Sequence, residues 1–114
     1  MEQFINIIDT YFLDYNSYEN GKVEFDCNYG ELIFVKRNHN MLILFGIYIN
    51  PEYREKGFCR NILYYLIEKS KGKFQYILIE SVISKLLYEY LLRFKYNNEK
   101  FKLTRQGFIY KIKN

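Results

Sequence analysis

The chain has 114 residues, 49% of them hydrophobic and 26% charged, with a formal net charge of +4 at pH 7. That length fits one small domain and leaves no room for a catalytic domain beside a separate binding domain, and the apolar fraction excludes wholesale disorder. No apolar run approaches the roughly 20 residues of a transmembrane helix, and the start Met1-Glu2-Gln3-Phe4 lacks a basic, cleavable leader; the expectation is a soluble, cytoplasmic protein with no membrane partner.

In chain order, Phe4, Ile5, Ile8, Tyr11, Phe12 and Tyr15 recur at three- and four-residue steps and predict an amphipathic helix over 2–16. A turn cluster, NSYENG, occupies 16–21. Alternation over 22–27 predicts a strand. Asn28-Tyr29-Gly30 turns it into a second strand over 31–37, and Asn38-His39-Asn40 leads into a longer apolar strand over 41–49. Three strands joined by short turns make an antiparallel meander. The pattern changes at Asn50-Pro51. After a polar loop, Ile62, Leu63, Leu66 and Ile67 follow helical spacing, with Gly72 as the C-cap signal. Residues 74–80 (FQYILIE) predict a buried strand. Val82, Ile83, Leu86, Leu87, Tyr90, Leu91 and Phe94 predict a second amphipathic helix, and two strands, 100–104 and 108–113, close the chain around Gln106-Gly107. Strand, helix, strand implies a crossover, so 41–49 and 74–80 should be parallel neighbours.

Two compositional features frame the search for chemistry. Ile, Asn, Lys, Tyr and Phe make up more than half the chain, and Ala and Trp are absent, a bias typical of AT-rich coding that warns against reading function into every Lys or Tyr. Residues 91–114 carry seven basic groups against one acidic, whereas residues 1–50 carry three against seven. Such a basic C-terminal third suits an anionic partner, a nucleic acid or a phosphorylated cofactor, or is simply a solvated face. Cys27 and Cys59 form no disulfide framework and are expected to be reduced thiols. His39 reads as a turn residue, and no zinc or calcium spacing is present, so no metal is expected.

Sites in strand–helix–strand units lie beyond the strand C-termini, where a helix N-terminus presents free N–H groups. Here that region is 49–63, Ile-Asn-Pro-Glu-Tyr-Arg-Glu-Lys-Gly-Phe-Cys-Arg-Asn-Ile-Leu. Gly57 permits close approach or a positive φ, and Arg54 and Arg60 add charge, which together make a diphosphate cradle. The stretch resembles the coenzyme A pyrophosphate loop of the GNAT superfamily of acyl-CoA-dependent N-acyltransferases, whose pattern is V-x-P-x-[YF]-[RQ]-x-x-G-x-[GA]-x-x-L-[LI]. Ile49, Pro51, Tyr53, Arg54, Gly57, Ile62 and Leu63 fall in register on it. Cys59 departs from it, standing where the family has Gly or Ala.

The resemblance implies an α+β fold with a central mixed sheet: an antiparallel meander, a parallel β-α-β crossover and a C-terminal hairpin, flanked by helices. It also implies an N-acetyltransferase that uses acetyl-CoA as acyl donor and passes the acetyl group directly to an amine acceptor, small molecule or protein. The coenzyme-binding residues would be Ile47, Tyr48 and Ile49 through backbone N–H groups, then Arg54, Glu55, Lys56, Gly57, Phe58, Cys59 and Arg60 in the loop. Ser84 stands where the family often has an Asn against the pantetheine. Setting Lys95-Tyr96 on the family's Gly-Phe puts Leu91 where its general-acid Tyr usually stands. The catalytic candidates are therefore the neighbouring Tyr88 and Tyr90, with Tyr88 preferred because Tyr90 shares the apolar stripe. Glu80 is the candidate base, unless it caps the next helix or pairs with a Lys; Glu24 and Glu31 are more distant. Because direct transfer needs no enzyme nucleophile, Cys59 is not expected to act as one. The chain lacks the family's first strand and second N-terminal helix, so part of the substrate wall is absent or comes from a second subunit in a homodimer. Two other readings stay open: a GNAT-fold protein that binds acyl-CoA with little turnover, and a small basic module that binds nucleic acid through 93–113, where aromatics interleave with Lys and Arg.

Overall fold

The computed structural model describes residues 1–37, 40–80, 82 and 84–113, so the readings made at His39 and Ile83 lie outside the described residues. Helix α1 spans Glu2–Leu13 and buries Phe4, Ile7, Ile8, Tyr11 and Phe12. It stops short of the predicted residue 16 because the chain tightens into a 3-10 turn, Tyr15–Ser17. The Lys36 ammonium holds that turn by donating to the Tyr15 and Tyr18 carbonyls at 2.9 and 2.8 Å. Strands β1 (Gly21–Cys27), β2 (Gly30–Lys36) and β3 (Met41–Ile49) form the expected antiparallel meander. Helix α2 (Phe58–Ser70) crosses to β4 (Tyr76–Glu80), and β4 lies parallel to β3 in the register Met41–Tyr76 through Leu44–Ile79.

The remainder departs from the sequence reading in detail. Helix α3 spans Lys85–Arg93 rather than starting at Val82, because the Ser84 hydroxyl caps it by accepting from the Leu87 N–H at 3.3 Å. Leu86, assigned to the buried stripe, is 70% exposed. An unexpected hairpin follows, β5 (Lys95–Tyr96) with β6 (Glu99–Lys100). Its turn residues Asn97 and Asn98 both take positive φ, +49° and +66°, as a two-residue hairpin turn requires. The last pair is shorter than predicted: β7 (Lys102–Leu103) against β8 (Gly107–Lys111). Gly107 is obligatory there, since a Cβ would stand 2.2 Å from the Ile79 carbonyl oxygen across the ladder.

The main sheet runs β1-β2-β3-β4-β8-β7, antiparallel except for the β3–β4 pair. Alternation gives it two faces. Leu32, Phe34, Leu42, Leu44, Ile77, Ile79, Phe108 and Tyr110 join the buried side chains of all three helices in one core. Val35, Ile43 and Leu78 form a smaller cluster on the other face, edged by Met41, Phe45 and Ile109. The fold is thus α+β, a mixed sheet with three helices. Among the described residues no helix is long and apolar enough to cross a membrane.

One irregularity positions everything that follows. The β2–β3 register shifts between Ile33, opposite Gly46, and Phe34, opposite Leu44, so Phe45 is an extra residue on β3. Such a bulge bends its strand and increases the twist. The parallel pairing ends at the same level, Leu44–Ile79, while β3 continues along β2 to Ile49 and β4 continues along β8 to Glu80. Beyond the bulge, β3 and β4 are no longer paired.

Candidate functional site

The segment joining β3 to α2 leaves the end of this unpaired stretch of β3 and is tied down at several points. The Asn50 N–H donates to the Tyr29 carbonyl at 2.8 Å, and its side-chain amide donates to the Asn28 carbonyl at 3.0 Å. Pro51–Tyr53 form a 3-10 turn. The Tyr53 and Phe58 rings meet Tyr29 edge-on at 4.6 and 5.3 Å, and Phe58 also meets Phe4 at 5.9 Å. These contacts bury apolar ring surface and fix where the loop leaves the sheet. Arg54 is shaped by its neighbours: Nε donates to the Ile49 carbonyl at 2.8 Å, and the guanidinium lies 5.3 Å from the centre of the Tyr48 ring. Tyr48 is 45% exposed, and the other β3 candidates, Ile47 and Ile49, are half-buried beside it.

The loop then turns twice through left-handed backbone, at Glu55 (φ +63°) and Gly57 (φ +80°). Gly57 is the N-cap of α2, with no side chain capping the helix and no acidic residue in its first turn. An α-helix leaves its first N–H groups without intrahelical partners, and its dipole favours negative charge there. Lys56 and Arg60 are exposed on either side of that turn. Free N–H groups and nearby cations make this end of α2 electropositive. Cys59 lies in the same turn but is half-buried, and burial pushes its thiol up to about 12. It is a packing residue.

Farther along α2, Arg60 and Tyr64 face Tyr90, Arg93, Phe94 and Lys95 across a groove of about 330 Å³. The Tyr90 phenol is pushed up to about 12, chiefly by burial, with Cys59 and Tyr64 adding to the shift and Arg60 and Arg93 opposing it. Tyr88 stands on the other flank of α3, edge-on to Phe108 at 5.3 Å, in a separate hollow of about 280 Å³ bordered by Val82, Thr104 and Gln106. The two tyrosines thus occupy different sites, and Tyr90 is the one near the N-terminus of α2. Ser84 serves as the cap of α3. Glu80, at the end of β4, is held by Arg37 in a two-point ion pair, Arg37 Nη1 with Oε2 and Arg37 Nη2 with Oε1 at 2.7 Å. The sequence offered a Lys partner or a capping role for Glu80; its partner is instead Arg37, 43 residues away in the chain.

Three features escaped the sequence. The groove cations Arg93 and Lys95 belong to a basic tail that had no visible focus. The bulge had a signal in Gly46, since a glycine inside a strand often marks one. Glu31 pairs across the strands with Asp26, and its carboxyl is raised by burial first, then by a hydrogen bond with Asp26 and the charges of Asp26 and Glu24. Among the described residues no group of three or more His, Cys, Asp or Glu is placed to hold a metal ion. No protein-family model, curated protein or solved structure matches the chain.

Proposed function

We propose that the chain is an acyl-CoA-dependent N-acyltransferase of the GNAT type, which takes acetyl-CoA and transfers its acetyl group directly to an amine. One observation carries the reading. The parallel strands β3 and β4 part at a bulge, and the segment that leaves β3 passes through a left-handed Gly57 into an uncapped helix N-terminus flanked by Arg54, Lys56 and Arg60. A diphosphate would be held by the N–H groups of Phe58, Cys59 and Arg60, with Arg54 and Arg60 supplying charge. The residues fit that group, because nothing acidic opposes it in the first turn and the only cap is a side-chain-free residue.

Acetyl-CoA would supply an activated thioester. The protein's part is to orient the carbonyl, remove a proton from the attacking amine and return one to the leaving thiolate as the C–N bond forms and the C–S bond breaks. The stretch of β3 beyond the bulge, Ile47 to Ile49, is unpaired with β4 and would be the source of backbone donors. Tyr88 and Tyr90 are the candidate proton donors: Tyr90, kept protonated by burial, lies beside the first turn of α2, and Tyr88 faces Phe108 on the other flank of α3. Glu80 and Glu31 are the candidate carboxylates at the strand ends, and the Glu31 carboxyl is raised by burial and by its neighbours Asp26 and Glu24.

A second reading, acyl-CoA binding with little turnover, is favoured by the ion pair that occupies both oxygens of Glu80. Calorimetric titration with acetyl-CoA, followed by thiol release on an amine panel, decides between them. Arg54→Ala should weaken acetyl-CoA binding by about 1–3 kcal/mol, the worth of one charge-assisted contact. Undiminished binding in that variant, or no binding by the wild type, would overturn the proposal.

A further inference from the structure

We propose that the face of the main sheet turned away from the helices is where a second copy of the chain docks, in a two-fold dimer that sets β1 of each copy against β7 of the other. The inference is independent of the acyl-CoA reading. All three helices pack on one face of the sheet. On the other face, one row of side chains crosses all six strands by direct pairing: Lys22, Val35, Ile43, Leu78, Ile109 and Lys102. A sheet face left to water reads polar at every second residue, but here the four central strands put only apolar residues in that row. Val35, Ile43 and Leu78 form a buried cluster, and the half-buried Met41, Phe45 and Ile109 widen it. Among the described residues no helix covers this surface. Charged side chains reach across it instead: Lys22 lies over the Phe45 ring at 4.1 Å, and Arg37, at the end of β2, pairs with Glu80 on β4.

Charge at the rim selects the occupant. With Lys22 drawn inward over Phe45, the β1 side presents Glu24 and Asp26, joined by Glu31, which pairs with Asp26 across the strands. These carboxylates crowd one another: the Glu31 carboxyl is raised by burial first, then by its hydrogen bond with Asp26 and the charges of Asp26 and Glu24. The far side presents Lys102 on β7, Lys111 on β8 and Arg105 in the turn between those strands. Glu99 pairs with Lys113 and also feels the charge of Lys102, which leaves that side net positive. A polyanion would meet the acidic edge and a basic partner the lysines, whereas a second copy satisfies both. The symmetry follows. A two-fold axis lying in the face, along the strands between β3 and β4, sets each acidic edge on the other copy's basic edge with the apolar rows between them. Arg105 stands at the same end as Asp26 and Glu31, because the Glu31–Tyr48 and Glu80–Gly107 pairs both lie toward the C-terminal ends of the parallel strands. A two-fold running across the strands would set like charge on like. Six strands about 4.8 Å apart, with about five residues each at about 3.3 Å, give roughly 400–500 Å² per copy. That is the size of a weak, exchanging dimer rather than an obligate one.

The test is sedimentation equilibrium, across about 1 μM to 1 mM protein, on the wild type and two charge-reversed variants, Glu24→Lys/Asp26→Lys and Lys102→Glu/Arg105→Glu. All four positions are exposed, and melting curves check that each variant stays folded. Should a reversal lower the melting temperature, Lys102→Gln/Arg105→Gln replaces it, with a smaller loss of association expected and unchanged association refuting the idea. The wild type should dimerise, and less so in about 1 M salt, where the Debye length falls to about 3 Å. Each reversed variant alone should lose at least tenfold in dimer affinity, because both of its edge contacts become like against like. The two variants mixed in equal amounts should regain the wild-type association, since every contact is again between opposite charges. A wild type that stays monomeric throughout, variants that dimerise as the wild type does, or a mixture that fails to recover would each overturn the proposal. Growth beyond the dimer would also overturn it, since joining β1 to β7 edge to edge does not close.

Discussion

Replacing Gly57 by Val tests the loop most directly, and the structure supplies its own control at Gly72. Both glycines flank α2 in left-handed backbone, Gly57 at φ +80° before it and Gly72 at φ +77° after it. A side chain in that region costs roughly 1–2 kcal/mol, and more for a β-branched residue. With about 4–8 °C per kcal/mol for a domain near this size, each variant should melt some 5–15 °C lower. Both should stay folded at 25 °C, since native stabilities run about 5–15 kcal/mol. Their surroundings differ. A Cβ at Gly72 meets nothing within 4 Å, whereas one at Gly57 stands 3.3 Å from Arg60 Nη2, at the mouth of the proposed anion seat. Gly72→Val should therefore bind acetyl-CoA within about twofold of wild type. Gly57→Val should lose at least tenfold, about 1.4 kcal/mol. Melting curves and calorimetry on the two proteins separate strain from binding. Equal acetyl-CoA affinity in the two variants would refute the idea that the first turn of α2 receives the diphosphate.

Other consequences follow from particular side chains. Cys59, with its thiol near 12, should resist alkylation up to about pH 9, and Cys59→Ala should keep acetyl-CoA binding; a thioester trapped on Cys59 by mass spectrometry would refute direct transfer. If the chain turns over an amine, removing the proton donor, by Tyr88→Phe or by Tyr90→Phe, should lower kcat by roughly 10–100-fold with little change in acetyl-CoA affinity. Should none of Tyr88→Phe, Tyr90→Phe, Glu80→Gln and Glu31→Gln change kcat in steady-state assays, catalysis rests on positioning alone. Glu31 also predicts a pH effect: its raised carboxyl holds a proton more tightly in the folded than the unfolded state, so the stability it adds is complete below its ordinary 4.5 and is lost as pH rises through the folded value. Thermal melts should find Glu31→Gln at least as stable as wild type at pH 7, with no advantage at pH 4.

Local patterns in the chain were enough for most of the elements. Period-two alternation over 22–27, an unbroken apolar run at 41–49 and the stripe Ile62, Leu63, Leu66, Ile67 each carry their own secondary structure, because burying one face demands that spacing. The strand-to-helix loop was equally legible: Gly57 takes the positive φ that a glycine permits, and such a turn is a local event. What the sequence left undecided depends on residues far apart in the chain. The Ser84 hydroxyl, rather than the apolar stripe from Val82, decides where α3 begins, and Leu86 is exposed because the core beneath that helix is filled by Leu87, Leu91 and Phe94. The Phe45 bulge arises from how β3 lies between two neighbours. The partnership of Glu80 with Arg37 joins the ends of different strands. Arg60, Arg93 and Lys95 come to line one groove only when α3 packs beside α2, because charge in a list of residues has no position until the core places it.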